Sequence, residues 1–231
     1  QKFNSFLREA IYGANINNIK KDTLEQFKFP LPPIEEQKKI ITVLKDYQKV
    51  IDGCTQIIEN YKPTINIDPS WDYISVGMIF ENITETKKPD EIEFRTTKYI
   101  GLEHIEKGKG ILSKEFTGDI DEIKSNKNLF KAGDILFAKL RPNLNKVVLV
   151  DFDGICSTDI LVLRAKESIS AGFYHSIFLS EWFNQEVMKG ISGAQLPRTK
   201  FSFISEINVP YPNKIIQDTI FESIAKEKIY V

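Results

Sequence analysis

The chain has few cysteines and histidines, and it lacks a long apolar run. Its 231 residues include two cysteines and two histidines, and no apolar run approaches the roughly 20 residues that cross a bilayer. Cys54 and Cys156 are too few for a disulfide framework and indicate a reducing cytoplasm. Neither His104 nor His175 has a cysteine or histidine neighbour at ligand spacing, which argues against zinc. These absences predict a cytoplasmic protein with no metal site and no membrane segment.

The chain also lacks an excess of charge of either sign. Its 31 Lys and Arg residues nearly balance 32 Asp and Glu, for a net charge of −1. A nucleic-acid binder that is basic over its whole surface is therefore excluded, and any such surface must be a local patch. The sequence contains no P-loop, no GxSxG turn and no glycine-rich dinucleotide turn after a strand. Nor does it contain an Asn-Pro-Pro-aromatic methyltransferase signature, so we expect the chain to be non-catalytic.

Two stretches of the chain are similar to each other at a constant offset, as in a duplicated segment. GANINNIKKDTLEQFKFPLPPIEEQKKI begins at Gly13, and GAQLPRTKFSFISEINVPYPNKIIQDTI begins at Gly193, 180 positions later. Other identical pairs at this offset are Asn4 with Asn184, Pro32 with Pro212 and Gln37 with Gln217. The period is too long for a solenoid, whose repeats have roughly 20–50 residues. It predicts one large unit preceded by the tail of an equivalent unit.

A long helix is predicted from Ile34 to about Tyr61. Prolines 30, 32 and 33 suit the entry to a helix, and two glutamates follow at its electropositive end. Apolar residues then recur at alternating spacings of four and three, which is typical of a coiled-coil seam. The predicted pairing residues on this seam are Ile40, Leu44, Tyr47, Ile51 and Ile58. Because the other faces are charged, we expect this helix to project and to pack on another helix.

The rest of the chain alternates short apolar runs with turn residues, which predicts a mixed α/β domain and an α+β chain. Strands are predicted at residues 71–76 and at KYIGLEHI, GILSKEF, GDILFAKL, KVVLVDF and ILVLRA. The stretch from Ala171 to Lys189 has the apolar periodicity of a single amphipathic helix. A second proline-preceded helix is predicted to begin near Asn213.

Four motifs carry a resemblance to a known family. They are LPPIEEQKKIITVL, a tryptophan shortly after the long helix, AGDILFAKLRPN, and the GA…PxP block before each helix. Together they resemble the specificity subunit of Type I restriction-modification systems. The resemblance implies the tail of one recognition domain at 1–33 and a projecting spacer helix at 34–62. It further implies a complete target recognition domain at 63–212 and the start of a second spacer helix at 213–231.

The same resemblance implies a function without catalysis. Such a subunit directs methyltransferase and nuclease subunits to a bipartite target in double-stranded DNA. The implied partners are DNA, modification subunits, a restriction subunit and, as one arrangement, a second copy of this chain. S-adenosylmethionine, Mg²⁺ and ATP would belong to the partner subunits, with no cofactor in this chain. Residues 47–77 also resemble the junction in fusions with an N6-adenine DNA methyltransferase, and the chain begins at Gln1. We therefore expect a piece of a longer polypeptide.

Two segments carry side chains suited to DNA recognition. The first follows the apolar run DILFA and supplies Lys139, Arg141, Asn143, Asn145 and Lys146. The second follows Gly193 and supplies Gln195, Arg198, Thr199 and Lys200. Arginine and lysine bind phosphates or guanine, and asparagine pairs with adenine through two hydrogen bonds. An ordinary solvated hairpin for the first segment, and simple helix termination for the second, remain alternatives at this stage.

Two other functions also remain open. Pro89-Asp90 and Glu122-Ile123-Lys124 superficially resemble the PD…ExK arrangement of metal-dependent nucleases, although both lie in polar stretches without an evident core strand. An interaction scaffold is the second alternative, with the coiled coil assembling partners and the globular unit binding protein. Salt dependence separates the alternatives, because phosphate contacts make DNA affinity fall steeply with ionic strength.

Overall fold

The computed structural model describes residues 5–6, 21–28, 30–60, 65–93, 96–118, 123–191 and 196–229. Residue contacts divide the chain into two compact units, Gln1–Asn60 and Tyr61–Val231. Within the described ranges, every helix is too short or too polar to cross a bilayer.

The first unit is dominated by one long helix. A short helix, α1 (Lys21–Glu25), precedes α2 (Ile34–Asn60). The bounds of α2 confirm the predicted helix, whose 27 residues correspond to about 40 Å. On the predicted seam, Ile40, Leu44, Tyr47 and Ile51 are 46–65% exposed; the side chain of Ile58 lies outside the described residues. Coiled-coil pairing of this apolar stripe stays a prediction.

The described residues of the second unit contain ten strands and several helices. In chain order its elements are β1 (Asp72–Ser75), α3 (Val76–Ile79), β2 (Phe80–Ile83), β3 (Thr86–Lys87), β4 (Lys98–Ile100), β5 (Lys127–Phe130), β6 (Ile135–Ala138), β7 (Val147–Leu149), β8 (Gly154–Cys156), β9 (Ile160–Ala165), α4 (Ala171–Leu179), α5 (Glu181–Lys189), α6 (Phe201–Ile204), β10 (Asn208–Tyr211) and α7 (Lys214–Ile229). Helices and sheets are thus mixed along the chain, which confirms the predicted fold class.

These strands form three sheets. One antiparallel sheet has the order β2-β9-β6-β7, a second sheet has the order β3-β5-β8-β4, and β1 pairs with β10. Within the second sheet β4 and β8 run parallel, whereas β5 is antiparallel to both of its neighbours. The predicted strand ILVLRA coincides with β9. Residues 71–76 contain only the four residues of β1, because a helical turn, α3, begins at Val76.

The strand β6 is apolar throughout, and β9 is apolar from Ile160 to Leu163, because both faces of these stretches are buried. Ile135 and Phe137 of β6 pack in one core cluster, together with buried residues of α4 and α5. Leu136, between them, packs in the other cluster, which includes Ile100 of β4 and Phe130 of β5. This period-2 alternation places the sheet β2-β9-β6-β7 between helices on one side and the second sheet on the other.

The predicted helix 171–189 is two helices, so that prediction was wrong. Ser180 adopts an extended conformation (φ −62°, ψ 147°), and its Oγ accepts a hydrogen bond from the main-chain N–H of Phe183. Serine is a favoured N-cap residue because its oxygen satisfies such an otherwise unpaired donor. The apolar periodicity continues across Ser180, which is why the pattern predicted one helix. The predicted strand GILSKEF is also absent, and a single bridge joins Leu112 to Ile105.

The helix α7 is packed closely on α4. A Cβ added at Gly172 would come within 2.4 Å of the Phe221 ring, so only glycine permits this approach without rearrangement. The buried side chain of Gln217 accepts a hydrogen bond from the Ser170 N–H at 2.9 Å. The first turns of α7 are therefore part of the globular unit.

Candidate nucleic-acid interface

The two segments predicted to contact DNA lie side by side. Leu140 and Arg198 form an antiparallel bridge. The Arg141 N–H donates to the carbonyl oxygen of Pro197 at 2.8 Å, and the Thr199 N–H donates to that of Lys139 at 3.0 Å. We call residues 139–146 and 196–200 the loop pair. The two segments, whose bridged residues Leu140 and Arg198 are 58 positions apart in sequence, form one continuous surface.

The first loop has an unusual backbone. Residues Pro142–Leu144 form a 3-10 turn, and Arg141 (φ 52°) and Asn145 (φ 45°) on either side of it are left-handed. Asparagine tolerates this conformation, whereas arginine in it costs roughly 1–2 kcal/mol. The hydrogen bond from the Arg141 N–H to Pro197 holds the strained residue in place. Strain of this kind that persists in an exposed loop is typical of functional segments.

Three side-chain hydrogen bonds attach this loop to other parts of the second unit. Asn184 donates its Nδ2 to the carbonyl oxygen of Pro142 at 2.8 Å, and Asn145 donates its Nδ2 to that of Leu179 at 2.9 Å. Lys146 donates its Nζ to the Leu102 carbonyl oxygen at 2.6 Å. These bonds give Asn145 and Lys146 a role in positioning the loop; their contacts with DNA stay a prediction.

The remaining predicted residues divide by exposure. Arg141, Asn143, Arg198 and Lys200 are exposed, and Lys139 is half-buried. Thr199 is only 1% exposed, and its Oγ1 has no hydrogen-bond partner among the described residues. This burial removes Thr199 from the accessible surface, contrary to its predicted role. Gln195 lies outside the described residues.

The loop pair is a local concentration of positive charge in a nearly neutral chain. Its sequences, KLRPNLNK and LPRTK, contain five cationic residues and no acidic one. Donors of this kind bind phosphate oxygens and the acceptor edges of bases. Among the described residues, one carboxylate from outside the loop pair contacts it: an oxygen of Asp159 lies 3.4 Å from the Nε of Arg198. The surface thus has the chemistry that DNA binding requires.

Two residues of this arrangement were missed by sequence reasoning. Asn184 carried a usable signal, because it is identical to Asn4 at the repeat offset. Asp159, just before β9, carried none, since an aspartate beside a strand is ordinary turn chemistry. Its contact with Arg198 depends on a pairing between distant segments.

The nuclease alternative gains no support from the described residues. Asp90 lies in a 3-10 turn, Pro89–Glu91, at the surface, and Glu122 lies outside the described residues. In the described part of the chain, no group of three or more His, Cys, Asp or Glu side chains is arranged to hold a metal ion. Cys156 is buried, and burial raises the pKa of its thiol to about 12, so it is not an activated nucleophile.

Comparison with known proteins supplies independent findings. The family model described as the Type I restriction modification DNA specificity domain matches residues 1–61 and 70–226. The chain is 29% identical over 147 residues to the Type I restriction enzyme EcoDI specificity subunit of Escherichia coli, covering 64% of this chain and 32% of that protein. It is 25% identical over 253 residues to the Type I restriction enzyme MjaVIII specificity subunit of Methanocaldococcus jannaschii, covering 95% and 60%.

A solved structure has a similar fold. It comes from work on the structural basis of complex assembly and conformational transition of the type I R-M system, and it superposes with a TM-score of 0.53. The sequence identity is 12%, with 99% of this chain and 62% of that chain covered. The chain therefore spans about a third to three fifths of the length of these relatives.

Proposed function

Because this chain belongs to the Type I restriction modification DNA specificity domain family, we propose that it recognises one part of a specific double-stranded DNA sequence through the loop pair. The observation that carries the proposal is the junction of the two segments at Leu140 and Arg198. This junction gathers the exposed side chains of Arg141, Asn143, Arg198 and Lys200 on one basic surface. Such a surface supplies both phosphate contacts and donors for base edges.

The long helix α2 supplies the second part of the proposal. Its exposed apolar stripe would pair with another helix, and its length of about 40 Å would set the separation between two recognition units. The other recognition unit of such a pair would come either from the same longer polypeptide or from a second copy of this chain. Modification subunits would dock on the paired helices, and a restriction subunit would join them.

In this proposal the chain contributes recognition and no chemistry. S-adenosylmethionine, Mg²⁺ and ATP would be bound by the partner subunits, which carry out methylation and cleavage. This division of roles agrees with the named relatives, which are specificity subunits of restriction enzymes. The loop pair is suited to that role because its exposed groups are donors rather than metal ligands.

Duplex binding measured over a salt series tests the proposal. Fluorescence anisotropy with a labelled duplex pool should show that log K falls linearly with log salt, with a slope of roughly −0.9 for each phosphate contacted. With two or three of the exposed cations Arg141, Arg198 and Lys200 on phosphates, we expect a slope of about −2 to −3. Absence of duplex binding at any salt, with intact assembly to partner proteins, would favour the scaffold instead. Divalent-metal-dependent cleavage that is lost in Asp90→Ala would favour the nuclease.

A further inference from the structure

Asp159 connects both segments of the loop pair. Its carboxylate Oδ1 accepts a hydrogen bond from the Nε of Arg198 at 3.4 Å. Its main-chain carbonyl oxygen accepts the Lys139 N–H at 3.0 Å, and its own N–H donates to the Oγ of Ser157 at 3.2 Å. Main-chain bonds therefore hold Asp159 in place, and its side chain holds Arg198.

This contact leaves the outer edge of the Arg198 guanidinium available. Arginine has five N–H donors in a planar fork, and the contact with Asp159 engages the one on Nε. Among the described residues, no group bonds the four donors on Nη1 and Nη2, and the side chain is 46% exposed. In contrast, no carboxylate among the described residues pairs with Arg141 or Lys200. The Arg198 side chain is thus held in one orientation by a carboxylate, whereas the side chains of Arg141 and Lys200 can adjust to a ligand.

A carboxylate beside an arginine is unfavourable for phosphate binding and suitable for base recognition. Asp159 is 32% exposed, so its negative charge would repel a phosphate drawn towards Arg198. A guanine presents two acceptors, O6 and N7, that match two parallel N–H donors of an arginine fork. A fork already oriented by a carboxylate loses less freedom when it forms this pair.

This inference rests on the proposed function. We propose that Asp159 is a positioning residue that orients the Nη1 and Nη2 donors of Arg198 towards a guanine in the major groove. Arg198 then specifies that base, whereas Arg141 and Lys200 supply sequence-independent phosphate contacts. A single position of the target should depend on the pair Asp159–Arg198. Each well-formed contact of this type discriminates against the wrong base by roughly 5- to 150-fold.

The test is selection from a randomised duplex pool, with sequencing of the bound fraction. The chain is used in full, as wild type, Asp159→Asn and Arg198→Lys. Wild type should select guanine at one position, and in both variants the preference for guanine at that position should be about tenfold weaker. Asp159→Asn should bind the unselected pool at least as tightly as wild type, because it removes a negative charge from a phosphate-binding surface. The matched control, Asp151→Asn, removes an exposed carboxylate from another loop and should change no base preference.

A chemically altered duplex separates positioning from simple structural support. Replacing the selected guanine by 7-deazaguanine removes the N7 acceptor, so it should weaken wild-type binding and have no further effect in Asp159→Asn. A guanine preference that survives in Asp159→Asn would overturn the inference and leave the proposed function intact. A uniform loss of affinity at all positions would also overturn it, as a merely structural role. Absence of any sequence preference or salt-dependent binding in wild type would instead contradict the proposed function.

Discussion

Gln37 and Gln217, 180 positions apart, make the same hydrogen bond. Each donates its side-chain Nε2 to the carbonyl oxygen of the proline five residues earlier, Pro32 or Pro212, and both bonds measure 2.7 Å. Each bond satisfies a carbonyl at the entry to a helix, so the duplicated sequence encodes a duplicated helix start. Within the described residues, only the Gln217 side chain has a further partner, the N–H of Ser170.

The first prediction follows from this difference. Gln217→Ala should lower the free energy of unfolding by about 2–4 kcal/mol, because it leaves a buried N–H and a buried carbonyl without partners. Tryptophan fluorescence during urea unfolding is the measurement, since Trp71 and Trp182 both lie in the second unit. The matched control is Gln37→Ala, which removes the equivalent bond from the first unit and should leave this transition unchanged. A Gln217→Ala transition that coincides with that of wild type would contradict the prediction.

The local elements of this fold were predictable where one pattern acted alone. The helix α2 has proline before it, glutamates in its first turn and an uninterrupted seam, and these signals agree on its start at Ile34. The strand β9 begins with a compact run of β-branched and aliphatic residues, and its bounds were also predicted. Ser180 shows where patterns compete: apolar periodicity favoured one helix, but a serine cap divides it in two.

The arrangement of the candidate site was predictable only in part. Both segments of the loop pair were identified from their basic and amide residues. Their junction at Leu140 and Arg198 was not, because pairing between distant segments has no local signal in a single sequence. The burial of Thr199 and the carbonyl contacts of Asn145 and Lys146 depend on the same tertiary packing. Residue chemistry therefore identified the surface, and the fold decided which members are exposed.

The second prediction concerns alkaline pH. Burial, with a further effect of the Asp134 charge, raises the pKa of Cys156 to about 12 from an ordinary value of 9.0. Between these values the unfolded chain loses the thiol proton and the native chain keeps it. The free energy of unfolding should therefore fall as pH rises, by roughly 1.4 kcal/mol per pH unit from this group. Urea unfolding in reducing buffer between pH 9 and 11 measures the slope.

Variants of the two cysteines isolate this contribution. Cys156→Ala should be less stable at neutral pH because it leaves a cavity, but its stability should fall less steeply above pH 9. Burial and nearby charges, that of Cys156 among them, raise the pKa of Tyr99, so the difference in slope belongs to Cys156 together with its coupling to Tyr99. Cys54 is exposed on α2, and Cys54→Ala should keep the wild-type slope. Identical slopes in wild type and Cys156→Ala would contradict the prediction.

The third prediction separates DNA contact from loop support. Arg141→Ala and Arg198→Ala should each weaken duplex binding by about 3- to 10-fold at moderate salt, without unfolding the protein. Arg141→Ala should also reduce the salt slope by about one, because it removes a phosphate contact. Anisotropy and thermal melting of the same samples provide both measurements. Wild-type affinity in both variants would show that the loop pair is not the DNA-binding surface.

Asn145→Ala is the informative comparison within the same loop. It removes the hydrogen bond to the Leu179 carbonyl oxygen and places alanine at a left-handed position, so it should cost about 1–3 kcal/mol of stability. Any loss of DNA affinity in this variant should arise only because the loop becomes disordered, so a lower temperature should restore part of the affinity. A variant that melts like wild type and binds DNA poorly would show that Asn145 contacts DNA directly.

The fourth prediction concerns the apolar stripe of α2. Leu44 and Ile51 are 60% and 56% exposed, so Leu44→Gln combined with Ile51→Gln should leave the fold of the second unit unchanged. The same change should abolish helix pairing, because a coiled-coil seam loses its buried apolar surface when two of its positions become polar. Sedimentation of the chain alone, and of its mixture with modification subunits, measures the assembly. Lys45→Gln with Asp52→Asn alters neighbouring positions off the seam and should assemble like wild type. Unaltered assembly of the seam variant would show that partners are held by another surface, and α2 could then no longer set the spacing between recognition units.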